Sequence, residues 1–234
     1  MTETNQLTRE INSEVYPAAV LVAYADEDRR NYFLEMRAVD RNGNMGEGCP
    51  VTVDFMNDLV KSYSGTYDDT PYGPLPPNML YCDTRKGSER YVWYNPPQKR
   101  MMYFVESLGI ENAEYNIPGV IYESREGDKM NVYAFMETFP TPDSLLYAAP
   151  FFNVTGARVC LGNARIEKPK NPTYRNLIEY LEKKFWLTEF SHLGGNMNPT
   201  RSNLVLVTKA ARDEPFNPGE LKPLKNLKLK DILK

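Results

Sequence analysis

The chain is poor in the residues that build metal sites and disulfide frameworks. It holds one histidine and three cysteines, at positions 49, 82 and 160, and no CxxC pair. That leaves too few soft ligands for a structural zinc site. An odd number of widely spaced cysteines argues against a disulfide framework and for a reducing compartment. No apolar run reaches the roughly 18 residues needed to span a bilayer, and the polar start MTETNQLTRE lacks the apolar core of a signal peptide. We read the protein as cytoplasmic, where the Asn153-Val154-Thr155 glycosylation sequon has no meaning. Basic charge is not in excess either: Lys and Arg number 28 against 31 Asp and Glu, so no global positive field draws the chain to nucleic acid or anionic lipid.

What is present suits one soluble globular domain with additions. Residues 1–14 read as a flexible N-terminus, 15–212 as the domain and 213–234 as a basic amphipathic tail. Tyr16–Tyr24 and Tyr32–Val39 predict a strand pair, followed by a turn at Arg41-Asn42-Gly43-Asn44. Val53, Met56, Leu59, Val60 and Tyr63 recur with helical spacing over Thr52–Tyr63. A Gly/Pro/Asp-rich loop fills 64–78, and strand-like sequence resumes at Met79–Cys82. Then Arg90–Tyr94, Met101–Val105, Gly119–Ser124 and Lys129–Phe135 predict an antiparallel four-strand meander packed on helices, an α+β arrangement. The last two are joined through Arg125-Glu126-Gly127-Asp128. Asn171 as N-cap and Pro172 at the first position open a helix over Tyr174–Trp186, with Leu177, Ile178, Leu181 and Phe185 on its apolar side and Glu179, Glu182 and Lys183 on the other. Residues 199–211 fit a strand or a helix equally well.

The stretch YAAPFFNVTGARVCLGN, residues 147–163, organises the rest. An apolar approach bounded by turn residues sets one side chain, Cys160, at the edge of a core. Two readings stand. A free cysteine commonly packs as a small hydrophobe; alternatively, a thiolate is a strong nucleophile.

The pieces Pro150-Phe151-Phe152-Asn153, Val159-Cys160-Leu161-Gly162-Asn163 and Phe190-Ser191-His192 occur in order, preceded by Tyr91-Val92-Trp93-Tyr94-Asn95-Pro96-Pro97 and Lys99-Arg100-Met101-Met102-Tyr103-Phe104. Over residues 15–195 this series resembles the prokaryotic branch of the ubiquitin-conjugating-enzyme (UBC-like) superfamily. More closely it resembles family D, called PRTRC system protein B. The resemblance implies a UBC-like fold, here with an extra N-terminal strand pair, whose active-site loop follows the last strand of the meander. It also implies that Cys160 accepts the carboxyl terminus of a small ubiquitin-like protein as a thioester from a ThiF-type activating enzyme and passes it to an acceptor. A ParB-related protein belongs to the implied set of cassette partners, and the resemblance implies neither a metal nor an organic cofactor, since the activating enzyme would use the ATP.

Asn153 stands seven residues before Cys160. In ubiquitin-conjugating enzymes an Asn at this distance, within His-Pro-Asn, supplies an amide donor to the oxyanion; here those positions are Phe151-Phe152-Asn153. The plainer reading makes Asn153 a turn residue that bonds local backbone. The resemblance gives His192 a proton-handling role, suited to imidazole chemistry near neutrality; alone, it reads as a helix C-terminal cap. Phe151, Phe152, Leu161 and Trp186 read as core supports, Arg158 as an exposed turn residue or an electrostatic aid to the thiolate, and Cys49 and Cys82 as bystanders. Two rival functions are a non-catalytic UBC-like binding module and an accessory of a ParB-related partition cassette. Within 213–234, Leu and Ile alternate with Lys, as in a segment docked on its own domain or one that binds an acidic partner.

Overall fold

A computed structural model describes residues 17–28, 32–63, 70–85, 87–125, 129–162, 165–195 and 197–234. The flexible N-terminus expected over 1–14 lies outside the described residues, as do Glu126-Gly127-Asp128 of the predicted turn, residues 64–69 of the predicted loop, Asn163 and Asn196. The chain divides between Tyr67 and Asp68 into two units, a division inside the span expected as one domain.

In the first unit, β1 (Ala19–Ala25) and β2 (Tyr32–Val39) pair antiparallel from Ala19↔Ala38 to Ala25↔Tyr32. This is the expected pair, but a third strand, β3 (Met45–Pro50), adds to β2. Its sequence MGEGCP carries two glycines and a proline, which favour strands poorly, and it is tolerated because it lies at the edge. The β2–β3 turn is closed by Asp40, whose Oδ1 accepts from the backbone N–H of Asn42 at 2.8 Å and of Asn44 at 2.9 Å. Helix α1 (Val53–Tyr63) begins where Thr52 Oγ1 accepts from the Phe55 N–H at 3.1 Å.

In the second unit, β4 (Met79–Asp83), β5 (Arg90–Asn95), β8 (Gly119–Arg125) and β9 (Lys129–Phe135) lie side by side, each antiparallel to its neighbour. The expected meander is thus corrected in one member. The Met101–Val105 segment is not in this sheet; β6 (Gln98–Met102) pairs with β7 (Ala113–Ile117) as a separate hairpin. Prolines explain the excursion. Pro96 and Pro97 lack the N–H a ladder needs, so the chain leaves after β5, and Pro118 precedes its return at β8.

The central strands are buried on both faces, and β8 is buried from Gly119 through Ser124. On one face Tyr91, Trp93, Tyr122 and Val132 pack against Leu177, Leu181 and Phe185 of helix α2 (Tyr174–Trp186). The cap of α2 is Thr173, whose Oγ1 accepts from the Asn176 N–H, rather than Asn171, which takes a left-handed φ of 53°. Glu182, placed by periodicity on the polar side, is turned to the sheet: its Oε1 accepts from Trp93 Nε1 at 3.1 Å and Asn95 Nδ2 at 2.7 Å, while Oε2 pairs with Arg100.

On the other face Val92, Ile121, Tyr133 and Phe135 pack against Leu146, Leu229 and Ile232. Of the readings open for residues 213–234, docking on their own domain is the one the packing of Leu229 and Ile232 shows. Strand β13 (Pro223–Lys228) pairs with β10 (Leu145–Ala148), which in turn pairs with β9, and helix α4 (Leu229–Ile232) follows. The ambiguous 199–211 stretch forms helix α3 (Leu204–Ala210), with Asn203 as its cap. A polar clamp holds the end of the docked segment. Glu123, 1% exposed, accepts from Arg90 Nε at 2.8 Å, Arg125 Nε at 2.7 Å and Asn131 Nδ2 at 2.9 Å, and Arg90 also donates to the carbonyls of Ile232 and Lys234. Burial opposes the charged form of Glu123, but the bonds from Asn131, Arg125 and Arg90 outweigh it and hold the carboxyl below its ordinary range.

Leu229→Ala is expected to destabilise the protein by about 2–5 kcal/mol, read as a lower urea midpoint. An unchanged midpoint would show that the segment contributes nothing to the fold. Because the folded-state pKa of Glu123 is depressed, its stabilisation is complete above the unfolded value of about 4.3 and is lost as pH falls through the folded value. Urea midpoints measured from pH 6 to pH 3 should fall more steeply for the native protein than for Glu123→Gln; parallel curves would contradict the clamp.

Candidate active site

The cysteine window is held from below by aromatic packing. Phe151 and Phe152 are 2% and 1% exposed. Phe151 meets Trp186 edge-on at 5.1 Å and Phe185 at 5.7 Å, and Phe152 meets Phe104 at 6.1 Å. From this base rises a short hairpin, β11 (Val154–Thr155) and β12 (Arg158–Val159), turning at Gly156 with φ 65°. Arg158 pairs with Asn131, which fixes the hairpin to β9. Val154 and Val159 point into the core. Cys160 follows Val159 directly, and the alternation of an extended chain turns it outward, where it is exposed. The other thiols differ. Cys49 is exposed on the edge strand β3 of the first unit, and burial pushes the half-buried Cys82 thiol up.

Asn153 ties this hairpin to the segment after α2. Its backbone takes a left-handed φ of 59°, which Asn tolerates better than most residues. The Asn153 carbonyl accepts from the Cys160 N–H at 2.7 Å, and the Asn153 N–H donates to the His192 carbonyl at 2.8 Å. One residue's backbone therefore separates the cysteine from the histidine segment. The Asn153 side chain, 4% exposed, completes the tie: Oδ1 accepts from the Ser191 N–H at 2.9 Å, Ser191 Oγ at 3.1 Å and the His192 N–H at 3.3 Å, while Nδ2 donates to the Glu189 carbonyl at 2.9 Å.

Phe190, fully buried, anchors that segment. Its N–H donates to the Tyr103 carbonyl and its carbonyl accepts from the Val105 N–H. His192 is two residues on, exposed, with Ser191 Oγ at 2.9 Å from Nδ1. It does not cap α2, which ends at Leu187. Glycine then allows a close approach, since a Cβ at Gly194 would lie 2.0 Å from the Val154 carbonyl oxygen. Asn153, Cys160 and His192 are thus brought to one place. Ser191 and Gly194 have no role of their own in the sequence pattern; their signal is adjacency to the sole histidine and a Gly-Gly pair. Among the described residues no cluster of three or more His, Cys, Asp and Glu is arranged to hold a metal, and no helix is long and apolar enough to cross a membrane.

A family model described as prokaryotic E2 family D matches residues 55–224, well over half of the chain. The chain belongs to prokaryotic E2 family D. This makes it a member of a ubiquitin-conjugating-enzyme-like family, and its mixed α+β architecture, with several antiparallel sheets and few helices, agrees with an E2-like fold. The family D match includes Asn153, Cys160 and His192 and stops at residue 224, at the start of β13. No curated protein and no solved structure matches the chain.

Asn153→Ala would leave the Ser191 and His192 donors without their shared acceptor. A buried polar group left unsatisfied costs about 1–3 kcal/mol. The expected result is a stability loss of that order together with faster hydrogen exchange at the Ser191 and His192 amides. Unchanged exchange would show that the side chain does not hold this segment.

Proposed function

We propose that the protein carries a small ubiquitin-like protein as a thioester on Cys160. The observation that carries this reading is that an exposed cysteine, at the end of a hairpin fixed to the sheet, is joined through the backbone of Asn153 to the segment bearing the sole histidine, all within the family D match. A ThiF-type activating enzyme supplies the modifier with its terminal carboxyl activated. The Cys160 thiolate attacks that carbonyl carbon, a C–S bond forms, and the activating group departs with its electron pair. In discharge an acceptor amine attacks the thioester carbonyl, a C–N bond forms, the C–S bond breaks and Cys160 leaves as thiolate. The amine proton passes to His192. Asn153 serves as a positioning residue: its Oδ1 accepts from three donors and one Nδ2 proton goes to the Glu189 carbonyl. The nitrogen carries a second proton, so donation to the oxyanion remains part of the role we assign it. The finer placement in the family called PRTRC system protein B, with a ParB-related cassette partner and a cytoplasmic location, belongs to the same reading.

The test is a charging assay with ATP, a cognate ThiF-type enzyme and ubiquitin-like protein, resolved on gels with and without thiol reductant. The expected adduct disappears with reductant, is absent in Cys160→Ala and resists reductant in Cys160→Ser. His192→Ala is expected to slow discharge to an amine by about 100-fold or more while leaving the adduct in place. Binding of the modifier without any adduct would replace the carrier with a non-catalytic binding module.

A further inference from the structure

Ser191 lies in a short hydrogen-bonded chain that runs from Asn153 to His192. The orientation of the Asn153 carboxamide is settled by its neighbours. The Ser191 and His192 backbone N–H groups can only donate, so the atom facing them is Oδ1; the Glu189 carbonyl can only accept, so the atom facing it is Nδ2. Ser191 Oγ lies 3.1 Å from Oδ1 and 2.9 Å from His192 Nδ1, and its hydroxyl has a single proton. Oδ1 has no proton to give. The arrangement without a clash therefore sends the Ser191 proton to Oδ1 and leaves an oxygen lone pair facing Nδ1. Reversing the hydroxyl would set its lone pairs against those of Oδ1 at 3.1 Å. Nδ1 must then carry a hydrogen.

We infer that Ser191 is a positioning residue that holds neutral His192 as the Nδ1–H tautomer, so that the ring presents an unprotonated Nε2 as its proton acceptor. A ring nitrogen's protonation is set by the hydrogen bond its partner nitrogen makes. The inference rests on the reading of His192 as the proton acceptor of discharge. In that step the amine nitrogen bonds to the thioester carbonyl carbon, the C–S electron pair leaves with Cys160, and the amine proton goes to Nε2. The resulting imidazolium keeps its Nδ1–H bond to Ser191, so the ring need not turn during the transfer. Sequence order assists: Phe190 is locked to the Tyr103–Val105 backbone, which leaves Ser191 little freedom to move away from Asn153.

His192 is the only histidine, so its ring nitrogens give one unobstructed set of signals in a long-range nitrogen–proton NMR spectrum. Spectra are taken on the uncharged protein, raising the pH until the ring signals stop shifting. The native protein should show Nδ1–H with a bare Nε2. Ser191→Ala should move the ring toward the Nε2–H form that free histidine prefers and slow discharge to an amine by about tenfold, and Ser191→Thr, which keeps the hydroxyl, should restore both. An Nε2–H ring in the native protein, or an Nδ1–H ring that persists in Ser191→Ala, overturns the inference. So does a changed tautomer with unchanged discharge from a carrier that charges normally. Failure of Cys160 to charge would overturn the carrier reading instead, and the tautomer measured on the uncharged protein would still decide what Ser191 does.

Discussion

The second unit depends on one constraint: its central strands are apolar on both sides and must be covered twice. In β5 the alternation sends Tyr91 and Trp93 to one face and Val92 to the other, and β8 and β9 repeat the pattern. A sheet of this kind cannot leave a face to water, because burying an apolar side chain is worth about 1.5–3 kcal/mol relative to exposing it. Helix α2 covers one face. The C-terminal strand and helix cover the other, held by the Glu123–Arg90 clamp and by Leu229 and Ile232.

The candidate site is a consequence of those two layers. Strand β9 offers its edge to the β11–β12 hairpin, and the end of α2 delivers Phe190 and then His192. The two pieces come from positions about 30 residues apart in the chain and share no regular ladder of their own. Asn153 replaces such a ladder. Backbone on both sides of it, its carboxamide oxygen and one proton of the carboxamide nitrogen hold the hairpin against the histidine segment. Cys160 and His192 stay exposed while Phe151, Phe152, Asn153 and Phe190, which hold the segments that bear them, are buried.

Phe151 and Phe152, just before Asn153, brace this loop. The loop's shape here is set from beneath, by stacking of Phe151 and Phe152 into the Phe104, Phe185, Trp186 and Phe190 cluster. Aromatic burial supplies the rigidity, and Asn153 alone supplies the polar connection to the neighbouring segment. Ser191 adds the last link, since its hydroxyl is the only group that touches both the Asn153 carboxamide and the imidazole ring through the bonds described.

By itself the sequence determined where most strands and helices lie. Local periodicity is a property of consecutive residues, so β2, α1, β8, β9 and α2 could be read directly, and the scarcity of cysteine and histidine left too few soft ligands for a structural zinc site. Tertiary structure decided the rest. Pairing partners are chosen by burial across the sheet, which is why Met79–Asp83 and not Met101–Val105 joins the meander, while glycine-rich β3 is a strand only because β2 offers it an edge to pair with. Glu182 looks polar along its helix but faces Trp93, Asn95 and Arg100, because the core has a polar spot there that only the folded sheet reveals. The Lys-rich C-terminal segment reads as a tail because its charges are periodic, yet its leucines and isoleucines fill a face whose emptiness no local pattern records. The division of labour among Asn153, Ser191 and His192 was out of reach for the same reason: hydrogen-bond direction depends on which atoms meet in space, and those atoms are brought together only when both faces of the sheet are covered.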